Sequence, residues 1–152
     1  MTEHKDDIST LNTLIATTID SIKGYEDAAA DSEAGRFQEI FRNRASERQN
    51  VVEQLRSEVR RLGGDPENDG SFMGATHQRF LDLKAAITGR DDQAIINEVE
   101  RGEDYLKGKF ETALDNEHLT GETRSVVQSC YQSVKQGHDQ ISELKHGLEA
   151  SA

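Results

Sequence analysis

Apolar residues recur along this chain at alternating spacings of three and four. Ile8, Leu11, Ile15, Thr18, Ile22, Tyr25 and Ala29 form the first such stripe, widened by Leu14 and Ile19. A helix with one buried face requires this spacing. It predicts a first helix over about 8–31, beginning near Asp7 or Ser9, either of which can cap free amides. Residues 1–6 are polar and expected to fray. A second stripe, Phe37, Ile40, Phe41, Arg44, Glu47, Val51, Leu55, Val59 and Leu62, predicts a helix over about 35–62. Gly63-Gly64 then supplies the left-handed conformation that ends a helix. The break around Asp31–Gly35 is short, which makes the first two helices antiparallel neighbours.

Asp65-Pro66 opens a loop that runs to Gly70. Ser71 is placed to cap a short helix over about 72–87, anchored by Phe72, Phe80, Leu83 and Ile87 and ended by Gly89. A third long helix, about 92–117, starts at Asp91 or Asp92. Its stripe is Ile95 or Ile96, Val99, Glu103, Leu106, Phe110 and Ala113 or Leu114. A fourth, about 121–149, is capped by Thr120. Its stripe is Val127, Cys130 or Tyr131, Val134, His138, Ile141, Leu144 or Lys145, and Leu148. No strand-like alternation and no Gly-rich phosphate loop interrupts this pattern. The connection between helices two and three, about 25 residues, is too long for a structureless loop in a compact domain. A crossover carrying its own short helix lets helix three run parallel to helix two. The predicted fold is all-α: an antiparallel four-helix bundle with a long helix 2 to helix 3 crossover, in one domain over 1–152. The competing architecture is an up-down array of five helices.

Composition narrows the function classes. A chain of 152 residues can bury roughly 68% of its unfolded surface, enough for a core. Charged residues make up 31% against 34% hydrophobic, with one proline, as long helices with solvated outer faces would give. The net charge of -11 repels phosphate backbones and argues against nucleic-acid binding. Arg56, Arg60 and Arg61 cluster where a helix ends and there complement its dipole. Cys130 is the only cysteine, which excludes an intramolecular disulfide and a thiolate metal cluster and suits a reducing compartment. No apolar run approaches 18 residues, so no membrane span is expected. MTEHKDDIST has no hydrophobic signal core, and cytoplasmic residence is the expectation.

The candidate chemistry lies in polar residues that interrupt the stripes: Glu47, Glu103 with Glu100 one turn earlier, and His138. A buried carboxylate is expensive unless paired, protonated or bound to metal. Two carboxylates and an imidazole facing one another are ligands for iron, manganese or zinc. The competing reading pairs Glu47 with Arg44 or Arg48 and Glu103 with Arg101 or Lys107, with His138 a hydrogen-bonded core residue. Glu26 stands roughly 12 Å along the axis from the level of Glu47, too far to share one metal. Tyr25, Tyr105 and Tyr131 fall on or near inward faces, where packing with a hydroxyl hydrogen bond is the commoner role. His4 and His77 lack partners at ligand spacing.

The stretch FRNRASERQNVVEQL resembles the second helix of rubrerythrin-type proteins. The chain as a whole is similar to the ferritin-like superfamily, whose di-metal members carry Glu, Glu-x-x-His, Glu and Glu-x-x-His on successive helices. The resemblance implies Glu47 as a ligand, with Asn50 in the histidine position. It places Thr18 where the first-helix glutamate would stand and Glu100 or Glu103 at the third-helix carboxylate. In the fourth helix Lys135 replaces the glutamate while His138 keeps the histidine. The metal-ligand set is therefore Glu47, Glu103 and His138, with Glu100, Asn50 and Thr18 secondary. Lys135, positively charged, is an alternative neutraliser of Glu47 or Glu103. RRLGGDPENDGSFMGATHQRF, DLKAAITGRDD and NEVERGEDYL resemble the bacterial family called domain of unknown function 2383, similar in fold to ferritin-like proteins. That resemblance implies a fold and carries no activity with it.

Three functions compete. One is a non-enzymatic helical module that self-associates or serves as a stress-related interaction protein. Another is a metal-binding ferritin-like protein with a degenerate di-metal site. The third is small-ligand storage between helices, which requires a large apolar cavity. No catalytic residue set emerges.

Overall fold

The computed structural model describes residues 2–31, 35–68, 92–116, 119 and 121–151. They form helices α1 (Thr2–Asp31), α2 (Gly35–Arg61), α3 (Asp92–Asp115) and α4 (Gly121–Ser151). The expected short helix at 72–87 with its anchors, His77, the capping Thr120 and the side chain of Leu148 lie outside the described residues. Helix α1 begins five or more residues earlier than expected. Its first turn, Thr2–Asp6, holds helix-compatible polar residues and no apolar ones, so periodicity could not register it.

Side-chain contacts fix the helix directions. Gln38 of α2 donates to the carbonyl of Ala29 in α1, and Asn12 reaches back to the carbonyl of Asp65 and the amide of Glu67, so α1 and α2 are antiparallel. Glu47 meets Ser133, Cys130 approaches Gln54, and Glu58 meets Thr123, so α2 and α4 are antiparallel. Glu100 meets Lys145, Asp104 meets His138, and Glu111 meets Tyr131, so α3 and α4 are antiparallel as well. Helices α2 and α3 therefore run parallel. The end of α2 and the start of α3 thus lie at opposite ends of the bundle, joined by the 62–91 connection. This is the ferritin-like crossover topology expected from the length of that connection.

The helix ends follow from local chemistry. Gly63 adopts φ 86° and ends α2. Its amide donates to the Arg60 carbonyl, and the Gly64 amide to that of Val59, the paired bonds of a Schellman turn. A Cβ at Gly64 would lie 2.9 Å from the Ile8 side chain, so α1 packs directly on this turn. At the α3–α4 connection Arg124 donates to the carbonyls of Leu114, Asn116 and Leu119 at 2.6–2.9 Å. One side chain of α4 thus satisfies carbonyls at the end of α3 and just beyond it.

The core runs along the bundle axis. Phe37 stacks near Phe41 at 5.9 Å, and Phe41 meets Tyr25 at 5.7 Å. Leu11, Ile15, Leu55, Ile96, Leu106, Phe110 and Ile141 are fully buried around them. Each such side chain contributes about 1.5–3 kcal/mol of transfer free energy. The α3 stripe matches expectation in full, from Ile95 to Ala113, with Glu103 in its middle. Two stripes are corrected. On α2 the buried positions are Phe37, Phe41, Ala45, Arg48, Val51, Val52, Leu55, Glu58 and Val59, so Arg48 points inward while Arg44 and Glu47 sit half-buried beside it. On α4 the residue between Val134 and Ile141 is Gly137, and His138 is turned toward the α3 seam.

Candidate functional site

Midway along the bundle a charged group lies where the apolar stripes converge. Arg48 projects from α2 and is fully buried. It meets Glu103 of the diagonally opposite α3, itself only 2% exposed. The contact is a bidentate fork: Nη1 donates to Oε1 at 2.9 Å and Nη2 to Oε2 at 2.7 Å. Helix α1 closes the group from a third side. The Tyr25 hydroxyl donates to Glu103 Oε1 at 2.5 Å, and Arg48 Nη1 also donates to Ser21 Oγ at 3.1 Å. The guanidinium carbon stands 5.9 Å from the Tyr25 ring centre. On the fourth side α4 presents Gly137. A Cβ there would fall 2.6 Å from Arg48 Nη2 and 2.8 Å from Arg44 Nη1. All four helices therefore contribute to one ion pair.

The electrostatics keep both polar partners in their hydrogen-bonding forms. Burial pushes the Tyr25 pKa well up, and the Glu103 charge pushes the same way, so the phenol stays a donor. Burial disfavours the Arg48 charge, but Glu103 outweighs it and holds the guanidinium pKa above its usual value. The Nε atoms of Arg48 and Arg44 are buried with no hydrogen-bond partner, so the polar group is not fully satisfied.

Each residue expected to ligate metal has another partner or position. Glu103 spends both oxygens on Arg48. Glu47 accepts from Arg44 at 2.8 Å and from Ser133 at 2.6 Å. Glu100 accepts from Lys145 at 2.8 Å. His138 contacts Asp104 through Nε2 at 2.6 Å and Asp139 through Nδ1 at 3.2 Å. Asn50 is exposed. Thr18 is buried, and its hydroxyl donates to the Leu14 carbonyl at 2.7 Å, closing a bond within its own helix. Lys135 does not neutralise the central carboxylate: it is exposed and bonded to Asp139. Among the described residues no three His, Cys, Asp or Glu side chains are grouped to hold a metal ion. An iron, manganese or zinc ion at Glu103 would have to compete with Arg48 for its two oxygens.

Other sequence candidates have structural surroundings. Cys130 is buried, its Sγ 3.7 Å from Gln54 Oε1, and burial pushes its thiol pKa up to about 12, far from a reactive thiolate. Tyr131 donates to Glu111, and Tyr105 carries Lys109 over its ring at 5.3 Å. A second buried carboxylate, Glu58, is held by Arg61 and Thr123 and ties α2 to the start of α4. The Arg61 hydrogen bond is the main reason its pKa is lowered.

His138 gives a pH prediction. Burial opposes its charge, but the hydrogen bonds to Asp104 and Asp139 outweigh that and raise its pKa. Lys107 faces it from α3 and acts in the opposite sense. A raised folded pKa means its stabilisation is fully present below the unfolded value of about 6.5 and is lost as pH rises through the folded value. Denaturant unfolding from about pH 6 to about pH 8 should show this loss in the wild type and not in His138→Gln. Identical pH slopes for the two proteins would remove His138 from the α3–α4 seam as a titrating clamp.

Fold and site together define an all-helical bundle of ferritin-like topology whose centre is closed by an internal arginine–glutamate pair. The chain matches the model of the family described as Domain of unknown function (DUF2383) over residues 6–116, and it belongs to that family. The match takes in α2 and α3 whole and α1 from Asp6, hence Tyr25, Arg48 and Glu103; α4 with Gly137 lies beyond it. No curated protein matches the chain in sequence. No helix among the described residues is long and apolar enough to cross a membrane.

Proposed function

We propose that this protein is a non-enzymatic helical module that acts by associating with further copies of itself, and that Arg48 serves as the permanent cation of its core. The observation that supports the non-metal part is the fork from Arg48 to Glu103, which engages both oxygens of the buried carboxylate midway along the bundle. A ligand carboxylate needs free lone pairs directed at the ion, and a divalent cation beside a guanidinium meets like-charge repulsion. The self-association part rests on the outer face of α2, where Arg42, Asn43, Ser46, Gln49 and Asn50 are all exposed.

Elemental analysis tests the first part. Protein purified with iron, manganese and zinc supplied is expected to retain well below one ion per chain. Stoichiometric metal that disappears in Glu103→Gln would sink the proposal. Solution mass measured across concentration tests the second part, with a rise above the monomer mass expected.

A further inference from the structure

An open groove of about 430 Å³ runs between α1 and α2, lined by Glu26 and Ala29 from α1 and by Arg42, Ala45, Ser46 and Gln49 from α2. Its floor is made of two small buried residues, Ala29 and Ala45. Its rims are exposed and, among the described residues, carry one acid, Glu26, and one base, Arg42. Elsewhere on the bundle charged side chains are largely paired, as in Arg56–Glu53, Lys107–Glu111 and Lys145–Glu100. Neither Glu26 nor Arg42 has a hydrogen bond or ion pair among the described residues. We infer that this groove is the contact between two copies of the chain, with Glu26 of each copy paired to Arg42 of the other. The inference rests on the self-association reading and names the surface that serves it.

Charge and geometry both favour a second copy as the occupant. A chain of net charge -11 repels itself, so two copies must meet where acidic density is low. From Arg42 to Asn50 the exposed face of α2 has no acid: Asn43, Ser46, Gln49 and Asn50 are neutral and Arg42 is basic. Depletion of charge at the centre is also what distinguishes an interface core from the rest of a surface. The levels of the two rim charges supply the register. The Gln38–Ala29 bond and the Tyr25–Phe41 ring contact pair α1 with α2 so that Glu26 stands beside residue 41. Arg42 is one residue further, about 1.5 Å along the axis. Consider a two-fold axis in the contact plane, parallel to the bundle and centred on the groove. It lays α1 of one copy across α2 of its partner without changing level, so each Glu26 comes opposite an Arg42. The four charges then alternate in sign around the alanine floor, and the contact is isologous.

Charge swapping tests this without disturbing the core, since both residues are exposed. In sedimentation equilibrium of the full chain, Glu26→Arg and Arg42→Glu are each expected to weaken the dimer roughly 10-fold or more, by placing like charges together twice. An equimolar mixture of the two variants restores opposite charges at both contacts and is expected to recover a dimer containing one copy of each. Circular dichroism of each variant should remain that of the wild type. Variants that dimerise as well as the wild type, or a mixture that stays as dissociated as its components, would overturn the groove as the interface while leaving self-association standing. A wild-type chain that is monomeric at every accessible concentration would overturn both.

Discussion

Arg48→Met is expected to lower the free energy of unfolding by about 3–5 kcal/mol, the typical effect of removing one partner of a buried pair. The substitution retains most of the side-chain volume, so little of the loss comes from a cavity. It comes from Glu103, left 2% exposed with only Tyr25 to donate to it. Removing the whole polar group should reverse the effect. In Arg48→Met/Glu103→Met/Tyr25→Phe no charge is stranded, and the phenol that lost its acceptor is gone as well. The triple variant also loses the unpartnered Arg48 Nε. Replacing a buried pair by apolar residues of similar volume is often neutral or stabilising by about 1–4 kcal/mol. The triple variant is therefore expected to recover most of the single variant's loss. Urea or guanidinium unfolding, with the slopes compared, measures both. A triple variant as unstable as Arg48→Met would place the loss in packing and not in the buried charge.

Gly137→Ala should destabilise by about 1–3 kcal/mol, the usual scale for forcing extra volume into a packed interior. In an ordinary helix interior the same change stabilises by roughly 0.5–1 kcal/mol, because alanine loses less backbone freedom on folding. The sign reverses here because the new Cβ would lie 2.6 Å from Arg48 Nη2 and 2.8 Å from Arg44 Nη1. Arg48 cannot swing away without giving up Glu103. Gly108→Ala, in α3 with nothing within 4 Å of its Cβ, provides the comparison and should stabilise. The two defects should also couple, since the clash partner is the arginine itself. Gly137→Ala is expected to be milder in the Arg48→Met background, a non-additivity that a double-mutant cycle reads directly. If Gly137→Ala stabilised the protein as Gly108→Ala does, the glycine would not be reserving space for the guanidinium.

Hydrophobic periodicity passes over Arg48 and Gly137 for the same reason. A hydrophobic stripe is recognised by its apolar members, and neither arginine nor glycine is one. On α2 the expected stripe runs through Arg44 and Glu47, one residue away from the true inward series Phe41, Ala45, Arg48 and Val52. On α4 the expected stripe runs from Val134 to His138, where Gly137 holds the inward position. The small residue Ala45 was the available signal: counting it as core would have turned Arg48 inward. Glu103, by contrast, sits on a stripe whose neighbours Val99, Leu106 and Phe110 are plainly apolar, and its burial was legible.

The sequence by itself determined the four long helices, the Gly63 stop and the crossover topology. Those depend on local spacing, on one residue's access to positive φ, and on the length of one connection. The tertiary structure alone decided which cation meets Glu103. Arg48 and Glu103 lie 55 positions apart on helices that face each other diagonally, whereas the expected partners of Glu103 are Arg101, Lys107 or Lys135. The choice depends on helix rotation, on relative height, and on the room that Gly137 leaves for a planar guanidinium. None of these is encoded in the periodicity of any single helix. The carboxylate was legible because burial is a property of one stripe; its partner was not, because pairing is a property of four.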